Sequence, residues 1–381
     1  MIPYGKQCID QTDIDAVVEI LKGDWLTQGP TIAKFEEALA MCCGAKYAVA
    51  VSSGTAALHL ANLALGVNRG DKVVTTPISF VATSNSVLYA GGEPVFCDIQ
   101  RNTINIDPDA VREELQETDS VRGIIPVHMG GLTADMENLA EIANEHDLWI
   151  IEDACHAFGG RWTDSNGKEH RVGDCAFSDM TVFSFHPVKH ITTGEGGIIT
   201  TNNVDLYKKL MELRTHGITR DLELLEEEHG GWYHEMHSLG FNYRMTDIQA
   251  AIGIQQLKRS DEWAMQRRKL VARYDEAFSS LPDVQAQVHP EDQEPAYHLY
   301  IAMVENRKEL YNHLRDQRIY TQVHYIPIHL QPYYRRKLGT RPGDLPVAED
   351  YYSKALSLPL FPALMNPEQD DVIKAVKDFY A

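Results

Sequence analysis

The feature that most limits what this chain can fold into is a series of short apolar runs, each separated from the next by a helical stretch. The runs are A-V-A-V from Ala48, K-V-V-T-T from Lys72, P-V-F-C-D-I from Pro94, G-I-I-P-V from Gly123 and L-W-I-I-E-D from Leu148. Helical spacing fills the intervals 56–65, 81–89, 108–115 and 136–146. Strands this short that are apolar on both faces belong inside a mostly parallel sheet with helices on either side, an α/β architecture. Two further helices precede the series. In the first, Thr12 reads as the N-cap of Ile14, Val17, Val18 and Leu21, with Gly23 as the stop; the second carries Ile32, Phe35 and Leu39.

Beyond Asp153 the alternation changes. D-M-T-V-F-S-F-H from Asp179 and G-G-I-I-T-T from Gly196 flank a short loop, which favours antiparallel pairing. A long helical stretch over 246–274 bridges to a second region, where H-L-Y-I-A-M-V and Y-T-Q-V-H-Y read as strands. The acidic run Glu226–Glu228 reads as a solvated loop face. At about 150 residues per domain, 381 residues make two, divided here into a large unit over 1–250 and a smaller C-terminal α/β unit over 251–381.

Composition removes several function classes. The formal net charge of -20 disfavours nucleic acid and anionic membranes as partners, since both require a basic face. None of the 6 cysteines stands in a C-x-x-C pair, which argues against structural zinc and thioredoxin chemistry and for free thiols in a reducing compartment. With no signal-like N-terminus and no long apolar run, the reading is a cytoplasmic protein without a metal.

The chemistry lies in an ordered set of motifs. S-S-G-T-A-A-L-H-L from Ser52 follows a strand and opens a helix; Gly54 and Thr55 there expose N–H groups that suit a phosphate, although the same turn serves any capped helix. Asp153 ends an apolar run at the sheet edge where α/β proteins bind ligands, or else it caps whatever follows. Lys189 sits in S-F-H-P-V-K-H-I-T-T-G-E-G-G from Ser184, where the glycines suggest close backbone approach rather than a free surface loop. G-F-N-Y-R-M-T-D from Gly240 says little alone, beyond a cap at Thr246. A lysine, a phosphate cradle, an acid and a flat side chain together suit pyridoxal 5′-phosphate, with Phe80 and His156 as the candidates for packing against its ring.

In these blocks, together with L-T-Q-G (26–29), T-T-P-I-S-F-V-A-T, E-D-A-C-H-A, R-T-H-G and Q-V-H-Y-I-P-I-H, the chain resembles the fold-type-I, DegT-type sugar aminotransferases over nearly its whole length. The resemblance implies the pyridoxal-phosphate transferase fold, with Lys189 holding the cofactor and Asp153 facing its pyridine nitrogen. It further implies His156 near the ring, and Ser184 with Gly54 and Thr55 at the phosphate. Asn242 is similar to a residue that reaches the site from a neighbouring subunit, which implies a homodimer with shared sites. Substrate contacts are implied at Tyr4, Asp24, Trp25, Leu26, Thr27, Gln322, Val323, His324 and Tyr325, as well as at Gly54, Ser184 and Asn242. The expected reaction moves the amino group of L-glutamate to a 4-keto-6-deoxy sugar nucleotide. Within the family, I-P-Y-G-K-Q, L-T-Q-G and Q-V-H-Y-I-P are most similar to members making UDP-4-amino-4,6-dideoxy-N-acetyl-β-L-altrosamine on the route to pseudaminic acid. Their acceptor is UDP-2-acetamido-2,6-dideoxy-4-keto-β-L-arabino-hexose. A dTDP- or GDP-linked sugar, amination at C3, and a non-catalytic cofactor-binding regulator stay open as alternatives.

Overall fold

The computed structural model describes residues 1–227 and 229–381. Helix α1 (Gln11–Lys22) begins two residues earlier than the periodicity suggests. Asp10, not Thr12, is its N-cap: the carboxylate accepts the Thr12 N–H at 2.8 Å, and Asp13 closes the capping box onto the Asp10 N–H at 2.9 Å. Aspartate is the stronger cap, so Thr12 is drawn into the first turn. Helix α2 (Pro30–Cys43) buries Ile32, Phe35 and Leu39 and stops at Gly44 in the left-handed region, φ 82°.

The alternation that follows is β1 (Tyr47–Val51), α3 (Gly54–Ala64), β2 (Lys72–Thr75), α4 (Ala82–Ala90), β3 (Glu93–Phe96), α5 (Pro108–Glu117), β4 (Val121–Ile125), α6 (Met136–His146) and β5 (Trp149–Asp153). A small hairpin, β6 (Arg161–Thr163) and β7 (Glu169–Arg171), intervenes before β8 (Met180–Ser184) and β9 (Gly197–Thr201). The central sheet has 7 strands in the order β1-β9-β8-β5-β4-β2-β3. All pairs are parallel except those of β9, which runs antiparallel to both β8 and β1. The carboxyl ends of β1, β2, β5 and β8 therefore share one edge with the start of β9.

Successive residues of each strand enter different cores. Val49, Val51, Ile151, Val182 and Ile199 pack with α3 on one face. Ala48, Ala50, Phe183 and Ile198 pack with α2 on the other, and Ile150 joins the core under α6. This accounts for runs that are apolar throughout: neither face meets water, and each fully buried aliphatic side chain contributes about 1.5–3 kcal/mol.

Helix α7 (Val204–Arg214) completes one helical layer. The stretch expected as one helix is two, α8 (Asp247–Leu257) and α9 (Ser260–Phe278). A turn at Lys258 and Arg259 (φ -107°, ψ 0° at Arg259) separates them, and the Arg259 guanidinium is held there by both Asp13 carboxylate oxygens, at 2.7 and 2.6 Å. Beyond α9, Val284–Ala286, Tyr300–Val304 and Ala355–Leu358 form a 3-stranded antiparallel sheet. Its core takes in Leu270, Tyr274, Leu356 and Val372, with Ile2 from the other end of the chain. Y-T-Q-V-H-Y is not a strand. Only Gln322 bridges, to Ser357, before the segment turns off toward a cavity and loses its ladder partner. In the acidic run Glu226 and Glu227 are exposed, while Glu228 lies outside the described residues. All 6 cysteines are free thiols, and among the described residues no helix is long and apolar enough to cross a membrane.

Candidate active site

Strand register builds the site. Gly197 stands opposite Val51 on one side and Ser184 on the other, so the turn after β1 lies beside the end of β8. Ser53 caps α3 through its hydroxyl, which accepts the Ala56 N–H at 3.1 Å. The N–H groups of Gly54 and Thr55, in the first turn, have no acceptor within the helix and lie at its positive end. The turn is packed from behind by backbone: a Cβ on Gly197 would fall 2.5 Å from the Ser53 carbonyl oxygen and 2.7 Å from the Gly54 nitrogen. Gly196 and Gly197 of T-G-E-G-G thus serve close approach, while Gly194 stands in open space with a left-handed φ of 83°. A Cβ on Gly54 would fall 2.9 Å from Ser184 Cβ and 3.2 Å from Ser184 Oγ, so only glycine leaves a cradle there. Gly54→Ala is expected to weaken pyridoxal phosphate binding about tenfold or more, through overpacking, in a fluorescence titration of the apo-protein. Unchanged affinity would remove this turn from the phosphate site.

The turn opens on a cavity of about 650 Å³. Asp153 enters its wall from the end of β5 and is 4% exposed. No helix follows for it to cap. Its Oδ2 instead accepts the Thr83 hydroxyl at 2.7 Å, and Oδ1 accepts the Cys155 N–H at 3.2 Å. Lys189 projects from the loop after β8, its own N–H bonded to the His186 carbonyl at 2.9 Å. Burial lowers the Lys189 pKa, an effect opposed by Cys155 and Asp153, so the amine gives up its proton more readily than a free lysine.

His156 is buried against the cavity, with Nε2 3.0 Å from the Tyr325 hydroxyl. Its ring centroid is 4.4 Å from that of His298, which is 5.6 Å from His190. Burial holds all three imidazoles well below their ordinary range, and Lys189 adds to the effect at each. Their Nδ1 atoms are buried and have no protein partner. Phe80, 59% exposed, stands at the mouth with its ring 6.3 Å from Tyr325.

Gly54, Thr55, Phe80, Asp153, His156, Ser184 and Lys189 thus line one cavity with Tyr4, Gln322, Val323, His324 and Tyr325. The structure does not bring Asp24, Trp25, Leu26, Thr27 or Asn242 to it; all five are exposed. Ser79, Thr83, Cys155, His186 and His298 also line it, unmarked by the sequence reading. Ser79 and Thr83 lie four apart in T-T-P-I-S-F-V-A-T, a usable signal; His298 has none nearby. Two blocks of the resemblance prove to carry structural contacts. Arg214 of R-T-H-G binds buried Glu36 at 2.5 Å and the Ala50 carbonyl at 2.7 Å. Asp247 accepts the Gly29 and Thr31 N–H groups at 2.7 and 2.9 Å, tying L-T-Q-G to α8.

The donor set suits pyridoxal phosphate: free N–H groups and a glycine cradle for its phosphate, a buried carboxylate for its ring nitrogen, a poised amine for its aldehyde, and flat side chains beside them. Comparison with known proteins points the same way. The model of the DegT/DnrJ/EryC1/StrS aminotransferase family matches residues 7–377. The spore coat polysaccharide biosynthesis protein SpsC of Bacillus subtilis is 39% identical over 384 residues, covering 99% of this chain and 96% of that protein. The UDP-4-amino-4,6-dideoxy-N-acetyl-beta-L-altrosamine transaminase of Campylobacter jejuni is 37% identical, covering 94% and 92%. The putative sugar aminotransferase Spr1654 of Streptococcus pneumoniae in its PLP form superposes with a TM-score of 0.90 at 29% identity, covering 99% and 98%.

Proposed function

The chain belongs to the DegT/DnrJ/EryC1/StrS aminotransferase family, and we propose that it moves the amino group of L-glutamate to C4 of a 4-keto-6-deoxy sugar nucleotide, UDP-2-acetamido-2,6-dideoxy-4-keto-β-L-arabino-hexose. The observation that carries this reading is the convergence of Lys189, Asp153 and the Gly54–Thr55 turn on one cavity at the carboxyl edge of the sheet.

The cofactor is pyridoxal 5′-phosphate, which when bound supplies the electron sink that makes the substrate's Cα–H acidic. The N–H groups of Gly54 and Thr55 and the Ser184 hydroxyl hold its phosphate. Asp153 offers the ring nitrogen a charged acceptor and so keeps a proton there. Lys189 removes a proton on one side of the transfer and returns it on the other. The neutral His156 and the Phe80 ring would offer flat surfaces to the cofactor without adding charge that competes with Asp153. Tyr4 and the 322–325 segment line the part of the cavity left for the sugar.

Asn242 and the 24–27 segment are exposed and outside the lining of their own cavity, and in a homodimer they complete the cavity of the partner copy. Similarity to the Campylobacter transaminase supports the choice of nucleotide and position.

A panel experiment tests this. Glutamate should change the absorbance of the bound cofactor, and of a set of 4-keto-6-deoxy UDP-, dTDP- and GDP-sugars only the UDP compound should restore it. Restoration by a dTDP- or GDP-sugar would replace the proposed acceptor, and no response to any sugar would remove the sugar-nucleotide reading.

A further inference from the structure

We infer that Thr83, backed by Ser79, is the positioning residue that aims the Asp153 carboxylate; this rests on the proposed placement of Asp153 against the ring nitrogen. The three side chains are 1%, 3% and 4% exposed for Thr83, Ser79 and Asp153, so no bulk water competes for their bonds. The Thr83 hydroxyl is 2.7 Å from Asp153 Oδ2, and the Ser79 hydroxyl is 2.6 Å from Thr83 Oγ1.

Proton bookkeeping sets the direction. An ionised carboxylate only accepts, so the Thr83 proton lies toward Asp153. The Phe80 carbonyl, at 3.2 Å, is the weaker alternative acceptor for the same proton. With that proton committed, Ser79 must be the donor in the short Ser79–Thr83 contact. The relay runs Ser79 to Thr83 to Asp153 and ends on a carboxylate oxygen that accepts. Each hydroxyl in such a chain polarises the next.

Placement reinforces it. Thr83 stands in the first turn of α4, whose N-cap Val81 supplies no side-chain acceptor, so the positive end of this helix faces the carboxylate. The Cys155 N–H occupies the other carboxylate oxygen at 3.2 Å. With one donor on each oxygen the carboxylate cannot rotate freely, and its remaining lone pairs are left for a donor in the cavity. Thr83 is β-branched and in a helix, so its own rotamer is restricted as well.

The test compares Thr83→Val, Thr83→Ser and Asp153→Asn as holoenzymes, measuring kcat and KM, and pyridoxal phosphate affinity of the apo-protein. Thr83→Val keeps the shape and removes the proton. It should lower kcat about 10- to 100-fold with little change in KM. Cofactor affinity should fall, and Thr83→Ser should restore both. If Thr83→Val fails to fold, Ser79→Ala should lower kcat by less, again with little change in KM. Thr83→Val equal to the parent while Asp153→Asn is impaired would overturn the relay and leave the Asp153 placement standing. Equal losses in Thr83→Val and Thr83→Ser would assign the effect to packing and overturn it too. An Asp153→Asn enzyme that matches the parent would end the underlying placement.

Discussion

Lys189→Ala should lower turnover by about ten-thousandfold or more, the upper range for removal of a positioned base. Among the described residues Lys189 is the one amine on the cavity wall, and the wall is built to hold it with its proton loosely bound. Burial lowers its pKa, and the nearby imidazoles, themselves neutral, offer no anion to reverse this. Asp153 and Cys155 pull the other way without cancelling the effect. Lys189→Arg should fail equally, because a guanidinium keeps its proton at any working pH and cannot shuttle one. The fold should tolerate both changes, since the loop is held by the Lys189 N–H to the His186 carbonyl and by Gly197 against Ser53, and neither involves the side chain. Reduction with borohydride should attach the cofactor to the parent and not to either variant. Activity within tenfold of the parent in Lys189→Ala would sink the assignment of this residue, whatever the spectra show.

Asp153→Asn should cost about 100- to 1,000-fold in kcat, the scale of removing one preorganised electrostatic contact in a water-poor site, while the cofactor still binds. The amide keeps the shape and one acceptor for Thr83 but sets its NH2 against the Cys155 N–H, so the loss combines the charge with one unmade hydrogen bond. Melting temperature should stay level or rise, because a buried carboxylate costs desolvation that an amide avoids. The two variants therefore separate by cofactor retention: Lys189→Ala loses the covalent hold, Asp153→Asn keeps it and loses rate. A fully active Asp153→Asn would mean that ring-nitrogen protonation is not how this site works, and the reading of β5 as the strand that delivers the acid would fall.

Much of the site could be read from local residues, and the reason is physical. An apolar run that ends in an acid has few places to go in an α/β sheet, so Asp153 at the carboxyl edge of β5 followed from the run alone. Glycines that admit backbone where no Cβ fits left a trace in S-S-G-T and T-G-E-G-G, and Gly54 and Gly197 are indeed pressed against Ser184 and Ser53. Where two local signals competed, the reading was less accurate. Asp10 displaced Thr12 as the cap, and a periodic stretch broke at a turn where Arg259 is held by Asp13, from the far end of the chain.

Sequence by itself determined the layers, the edge that carries the site, and the residue types able to hold a phosphate, an acid and an amine together. These follow from periodicity, capping and steric exclusion, which act over a few neighbouring residues. Tertiary structure alone decided that β9 inserts between β8 and β1, that His298 reaches the wall beside His156, that Thr83 and Cys155 close on Asp153, and that 24–27 and Asn242 stay outside the lining of their own cavity. Those outcomes depend on strand register and on contacts between residues far apart in the chain, which no local pattern encodes because their energies arise only once the cores have packed.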